Sequence, residues 1–323
     1  MMRLYRVTGF WFFSILVLIP GFLQAQDVGL SGRIYTGYYY NTHTNFNAFY
    51  LDRVYLGYAG ELTSDVDFTV TSDIGPDLTD GGYQLLMKYA FISWEQGESG
   101  GLSLGMIPMN AFDVQKKTWG YRYLRKTVMN DRKFAPSADL GVGYDLRFSR
   151  KFSLSTVISN GAGYKNPETN EFKRVHIRLL YGPDNLGKSR GLNLGTYASV
   201  EPQPAEQSRY TFAGFSGLHV SDFWVGTELA YQVLTDSDWQ HILYSLYSRL
   251  EVGESATAFG RIDYSDEEAL VAGGTTHFIE KMLIGGVEFV PAAGIKIAPH
   301  FVYLLEDDGE DSLELRLGTE FRW

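Results

Sequence analysis

A closed, antiparallel, membrane-spanning β-barrel is the all-β fold this sequence predicts, and three observations carry the prediction. Apolar and polar side chains alternate with period two along most of the chain, the connections between alternating segments run long and short by turns, and the last segment, residues 313–323, ends on an aromatic of its apolar face. Period-two alternation belongs to strands, whose successive side chains point to opposite faces. The 22 Tyr, 21 Phe and 35 Gly suit strands and turns better than helices. A mean hydropathy of −0.15 is compatible with a barrel, since its strands are apolar on one face only.

The N-terminus reads as a cleaved secretory leader. Arg3 and Arg6 precede an apolar run at residues 10–19, a Pro20-Gly21 break, and Leu23-Gln24-Ala25, which ends on a small residue. The run is far shorter than the roughly 20 residues needed to cross a bilayer as a helix. Residues 1–25 are therefore expected to be removed and residues 26–323 to form the barrel.

Alternation begins at once. Leu30, Ile34, Thr36, Tyr38 and Tyr40 share one face, with Arg33, Tyr35 and Tyr39 on the other. The same pattern recurs where Leu140, Val142, Tyr144 and Leu146 alternate with Asp139, Asp145 and Arg147, and where Val175, Ile177 and Leu179 alternate with Arg174, His176 and Arg178. Sixteen segments result, at 28–40, 48–61, 64–74, 83–95, 101–107, 138–148, 151–160, 171–181, 190–201, 208–220, 222–235, 239–251, 255–265, 277–290, 294–305 and 312–323. An even number lets a closed barrel keep both termini on one side, and closure leaves no unpaired edge in hydrocarbon. Fourteen strands is the alternative count.

Odd-numbered connections, which should be external, are long: 41–47, 74–82, 108–137, 160–170, 266–276 and 306–311. Even-numbered ones are short turns such as Leu62-Thr63, Ser149-Arg150 and Ser221. Connection 182–189 is long for a turn, and Ser237-Asp238 is short for an external loop. In the closing segment Leu313, Leu315, Leu317, Phe321 and Trp323 take one face, and Glu314, Arg316, Glu320 and Arg322 the other. A terminus of this kind, with Phe321 and Trp323 outward, looks like the signal read by the barrel-assembly machinery. The expected setting is the bacterial outer membrane, with lipid and lipopolysaccharide as surroundings.

A net charge of −10 argues against nucleic-acid binding, which calls for a basic footprint. No cysteine is present, so no disulfide forms, and six scattered histidines show no metal-ligand spacing. The acidic run at 306–311 lacks the spaced oxygens of a calcium loop. Gly101-Leu102-Ser103-Leu104-Gly105 matches a nucleophile pattern, but it opens a strand with no helix after it. No catalysis, metal or cofactor is expected.

One connection stands apart. Residues 108–137 form a loop far longer than usual, carrying Lys116, Lys117, Arg122, Arg125, Lys126, Arg132 and Lys133 against Asp113 and Asp131. Folded inward, those cations would concentrate anions at the narrowest point; folded outward, they would meet water or lipopolysaccharide phosphates. The inward strand faces carry acids and bases in near balance. Their densest basic row is Arg174, His176 and Arg178, with Arg209 on a later strand, and it either lines an anion path or pairs with facing acids.

Leu102-Ser103-Leu104-Gly105-Met106-Ile107-Pro108, Phe134-Ala135-Pro136-Ser137-Ala138-Asp139-Leu140-Gly141-Val142 and Ser159-Asn160-Gly161-Ala162-Gly163 resemble the phosphate-selective porin O and P family. The resemblance implies sixteen strands, a third loop folded inwards, trimeric assembly and passive diffusion of small anions or polar solutes, phosphate among them. The competing reading is a non-conducting structural or adhesive barrel whose loops bind a surface partner.

Overall fold

The structure, a computed structural model, describes residues 29–77, 81–204, 207–271, 274–306 and 311–323. The expected leader, residues 1–25, lies outside these, as do residues 307–310 of the acidic run.

The strands are β1 (Gly29–Asn41), β2 (Asn47–Thr63), β3 (Val66–Pro76), β4 (Tyr83–Gln96), β5 (Gly100–Pro108), β6 (Ala138–Arg147), β7 (Phe152–Ser159) and β8 (Arg174–Tyr181). They continue with β9 (Gly191–Pro202), β10 (Ser208–Val220), β11 (Phe223–Leu234), β12 (Gln240–Gly253), β13 (Ala256–Val271), β14 (Gly274–Ala292), β15 (Ile295–Glu306) and β16 (Ser312–Arg322). Each pairs antiparallel with its sequence neighbours, and β1 pairs with β16 to close the ring. The sixteen expected segments and the closing of the last onto the first are all present. At the seam Arg33 faces Arg322, and Gly32 and Trp323 exchange backbone hydrogen bonds of 3.1 and 3.2 Å.

The outward face is the apolar one. Val175, Ile177 and Leu179 on β8, Leu192 and Leu194 on β9, and Leu315 and Leu317 on β16 are all exposed, while the residues that alternate with them are buried on β8 and β9 and half-buried on β16. In water so many exposed aliphatics would be a large unfavourable surface; in lipid it is the favourable one.

Two features differ from expectation. Residues 266–276, expected as an external loop, are mostly ladder: Asp266 pairs with Ile279 and Glu268 with His277. The acids suggested a loop, yet cross-strand partners accept them there. Trp239 Nε1 donates to Glu267 at 2.8 Å, and His277 Nδ1 lies 3.0 Å from Asp266. The register also slips twice near one place. Pairing passes from Tyr35–Arg53 to Thr36–Leu51, leaving Asp52 extra, and from Thr71–Tyr89 to Ser72–Met87, leaving Lys88 extra. Such β-bulges re-aim side chains, and Lys88 enters the lumen through one.

Candidate functional site

Residues 109–137 connect β5 to β6 and contain two short helices, α1 (Asp113–Trp119) and α2 (Val128–Asp131). Helix α1 ends at Gly120, whose φ of 77° places it in the left-handed region that a side chain disfavours. The loop is rich in large apolar residues, and these find partners on the inner wall. Ala111, Phe112, Val128, Met129, Phe134 and Ala135 pack against Tyr197, Ala213, Ala230 and Leu243 of β9–β12. Trp119, Tyr121, Tyr123 and Leu124 pack against Tyr247, Phe259, Met282, Ile284, Ala298 and Val302 of β12–β15 and against Tyr35 of β1. Burial of that apolar surface holds the loop against one side of the barrel interior.

Polar contacts fix its position. The Phe134 carbonyl accepts from Arg174 Nη2 at 2.6 Å and from Gln232 Nε2 at 3.0 Å. Arg261 Nη1 donates to the Lys126 carbonyl at 2.5 Å, Tyr123 donates its hydroxyl to Glu288 at 2.7 Å, and the Val128 amide donates to Glu228 at 3.3 Å. Arg132 pairs with Glu280, and Arg178 with Asp113 at the start of α1. From the end of short turns, segment 182–190 also reaches in. Lys117 meets Asp184 at 2.5 Å, and the Leu186 carbonyl, on a fully buried residue, accepts from Trp224 Nε1 at 3.0 Å. This accounts for the length of that turn: it braces the loop from below.

The fastenings sort the seven loop cations. Lys117 pairs with Asp184, Arg122 with Asp52 at 3.6 Å, Arg125 with Asp131 at 2.6 Å and Arg132 with Glu280. Lys116, Lys126 and Lys133 make no ion pair among the described residues. Burial lowers the Lys116 ammonium to about 8, and burial together with Arg122 does the same to Lys126. Both retain their charge at pH 7 while being easier to neutralise than a free lysine.

The expected basic row is distributed differently. Arg174 is buried and, beyond Phe134, bonds Ser199 Oγ at 3.0 Å and pairs with Glu201 at 3.5 Å. His176 is fully buried between Ser159 Oγ at 3.2 Å and Tyr197 Oη at 2.8 Å. Arg209 is the outlying member, 3.8 Å from Glu201 and over the Trp239 ring. Arg174 and Arg178 thus bind wall and loop together, while His176 joins β7 to β9 within the wall. Phe321 and Trp323 sit on the outward face at the seam.

What the loop leaves open is a cavity of about 890 Å³ running along β1–β4, from Ser31 and Arg322 at one end to Lys165 and Glu201 at the other. Thirteen lysines and arginines line it, against two acids, Glu201 and Glu320. The near balance read from strand parity does not extend to this surface, because most inward acids are engaged elsewhere. Asp139 accepts the Gly161 and Gly163 amides, Asp263 is held by Arg261 and Ser245, and Asp73 by Arg53 and the Tyr164 hydroxyl. A second cavity, about 980 Å³, lies beneath the loop at the end of short turns and is mixed in charge, with Asp113, Asp145 and Asp184 beside Lys117, Arg147 and Arg178.

Lys88, which strand parity alone did not single out, is central to the first cavity. Its signal is a phase slip: Leu85 and Met87 face outward on odd numbers, Ile92 and Trp94 on even ones, so one residue between must be extra.

No protein-family model matches the chain, and no curated protein matches it in sequence. Solved structures match it closely in shape. An anion-selective porin from Comamonas acidovorans is 13% identical at a TM-score of 0.67, covering 92% of this chain and 99% of that one. OmpF of Salmonella typhi, in complex with daunomycin, is 11% identical at 0.68, covering 92% and 97%. OmpT of Vibrio cholerae, in its trimer form, is 12% identical at 0.66, covering 92% and 99%. At such identities the likeness speaks for architecture alone: this chain has the sixteen-stranded antiparallel barrel fold of these outer-membrane porins.

Proposed function

We propose that the protein is a passive diffusion channel of the outer membrane that prefers small anions, phosphate being one candidate, and that it assembles as a homotrimer. The observation that carries the anion preference is the lining of the cavity along β1–β4, thirteen cationic residues against two acids. A surface of one sign raises the local concentration of counter-ions and repels co-ions, most strongly where the bore is narrow. Lys116, Lys126 and Lys133 carry the loop's part of that field, because the other loop cations are paired. Sieving is set by the distance left between loop and opposite wall. The likeness to a trimeric structure supports the assembly state, and Phe321 with Trp323 would serve recognition by the assembly machinery.

The test is electrical. Mature protein purified in detergent and added to planar bilayers is expected to give stepwise ohmic conductance, with a reversal potential in a potassium chloride gradient on the chloride side of zero. Absence of steps would favour the non-conducting barrel; a reversal potential on the potassium side would remove the anion preference alone.

A further inference from the structure

We infer that the passage is shaped for organic anions that carry a flat ring, with an aromatic monocarboxylate as the simplest case; this rests on the diffusion-channel reading above and names its substrate class. The inference starts from Lys88, brought into the lumen by the β4 bulge. It has no ion pair among the described residues, and in place of a carboxylate it is surrounded by phenol rings. Its Nζ donates to the Tyr55 hydroxyl at 3.2 Å and lies 4.5 Å from the Tyr55 ring centre, 5.6 Å from that of Tyr164 and 5.7 Å from that of Tyr89.

The nearby cations reinforce this arrangement. Arg53 is buried, its Nη1 pairs with Asp73 at 3.4 Å, and its Nε has no hydrogen-bond partner. Asp73 accepts from Arg53 and from the Tyr164 hydroxyl at 2.5 Å, and among the described residues it forms no salt bridge with Lys88. Arg122, across on the loop and 3.6 Å from Asp52, lines the same cavity. This stretch therefore has an excess of donors to a carboxylate and an unusual share of ring surface.

An inorganic anion uses the donors but gains nothing from ring faces, since it holds its water tightly and has no apolar surface to bury. A carboxylate on a flat ring uses both. Its oxygens take charge-assisted hydrogen bonds from Lys88 and a guanidinium, and its ring packs edge-on or offset against tyrosines. Aliphatic carboxylates share the first contact and lack the second.

The test compares benzoate, acetate and inorganic phosphate as additives at pH 7 to mature protein conducting chloride in planar bilayers. The quantity read is the concentration that halves the chloride current. Benzoate is expected to act at a concentration about threefold to tenfold below that of acetate, the range of one or two aromatic contacts, and below that of phosphate. Tyr55→Leu is expected to bring benzoate to the acetate value, whereas Tyr55→Phe, which keeps the ring, preserves the difference. Lys88→Met is expected to weaken benzoate and acetate together. Equal potency of benzoate and acetate in the parent protein overturns the inference, as does phosphate acting at the lowest concentration or a difference that survives Tyr55→Leu. A protein that conducts chloride without discriminating these additives leaves the diffusion channel standing; one that never conducts removes both.

Discussion

Neutralising the three unpaired loop lysines together, as Lys116→Gln, Lys126→Gln and Lys133→Gln, isolates the field of the loop from its fastening. None of the three makes an ion pair among the described residues, so their removal leaves no acid stranded. A unit charge roughly 7 Å from a passing ion in water contributes about 0.6 kcal/mol, and physiological salt about halves that. Attraction of an anion and repulsion of a cation both change, so each lysine alters the anion-to-cation permeability ratio by about threefold, and the three together by roughly twentyfold. The assay is the reversal potential in a tenfold potassium chloride gradient, on protein whose folded state is verified by its heat-modifiable migration on gels. A folded triple variant whose ratio stays within about twofold of the parent would refute the reasoning, because the thirteen-to-two lining would then owe its effect to the strands alone.

Three further outcomes follow from the same geometry. Raising the pH from 7 to 9.5 takes Lys116 and Lys126 through their values of about 8, so they lose charge while the arginines keep theirs; anion preference should fall with a midpoint near 8, and a midpoint near the 10.5 of an ordinary lysine would contradict the burial of both groups. Arg174→Met removes a donor to the Phe134 carbonyl and strips Glu201 of a buried partner; it should cost about 2–4 kcal/mol, seen as a lower unfolding temperature in detergent and as tryptic cleavage after Arg132 or Lys133. Gly32→Ala places a methyl group 2.0 Å from Cζ2 of Trp323 and must displace the indole from the seam; refolding into lipid vesicles should slow several-fold, and Trp323→Ala should add little on top, as two changes to one contact do.

The strands and their order were legible because lipid imposes a strict rule: one face of every segment must be apolar, and the residue next along must not be. Hence boundaries in β10, at Ser208–Val220, are readable from alternation alone. Where lipid no longer applies, the rule lapses. At the outer end of β13, Glu267 and Glu268 pair with His241 and Gln240 of β12 and Asp266 lies 3.0 Å from His277, and in sequence that stretch resembles a loop.

The site was legible in place but not in detail, and the reason is that parity records which way a side chain points, not what it meets. By parity Arg174 and Arg178 resemble pore cations, yet each is used to hold the loop. By parity Asp139 resembles a pore acid, yet two backbone amides take both its oxygens. These engagements join residues far apart in the chain, such as Arg132 with Glu280 and Tyr123 with Glu288, and no local pattern encodes them. Their combined effect is directional. Once the acids are spent on fastening an apolar, basic loop to the β9–β15 side, the lysines that remain can only face the β1–β4 side, where Lys88 and Arg53 already stand. A chain that is acidic overall thereby acquires a cavity with a cationic lining, and the charge of that lining is set by which acids the loop consumes rather than by composition.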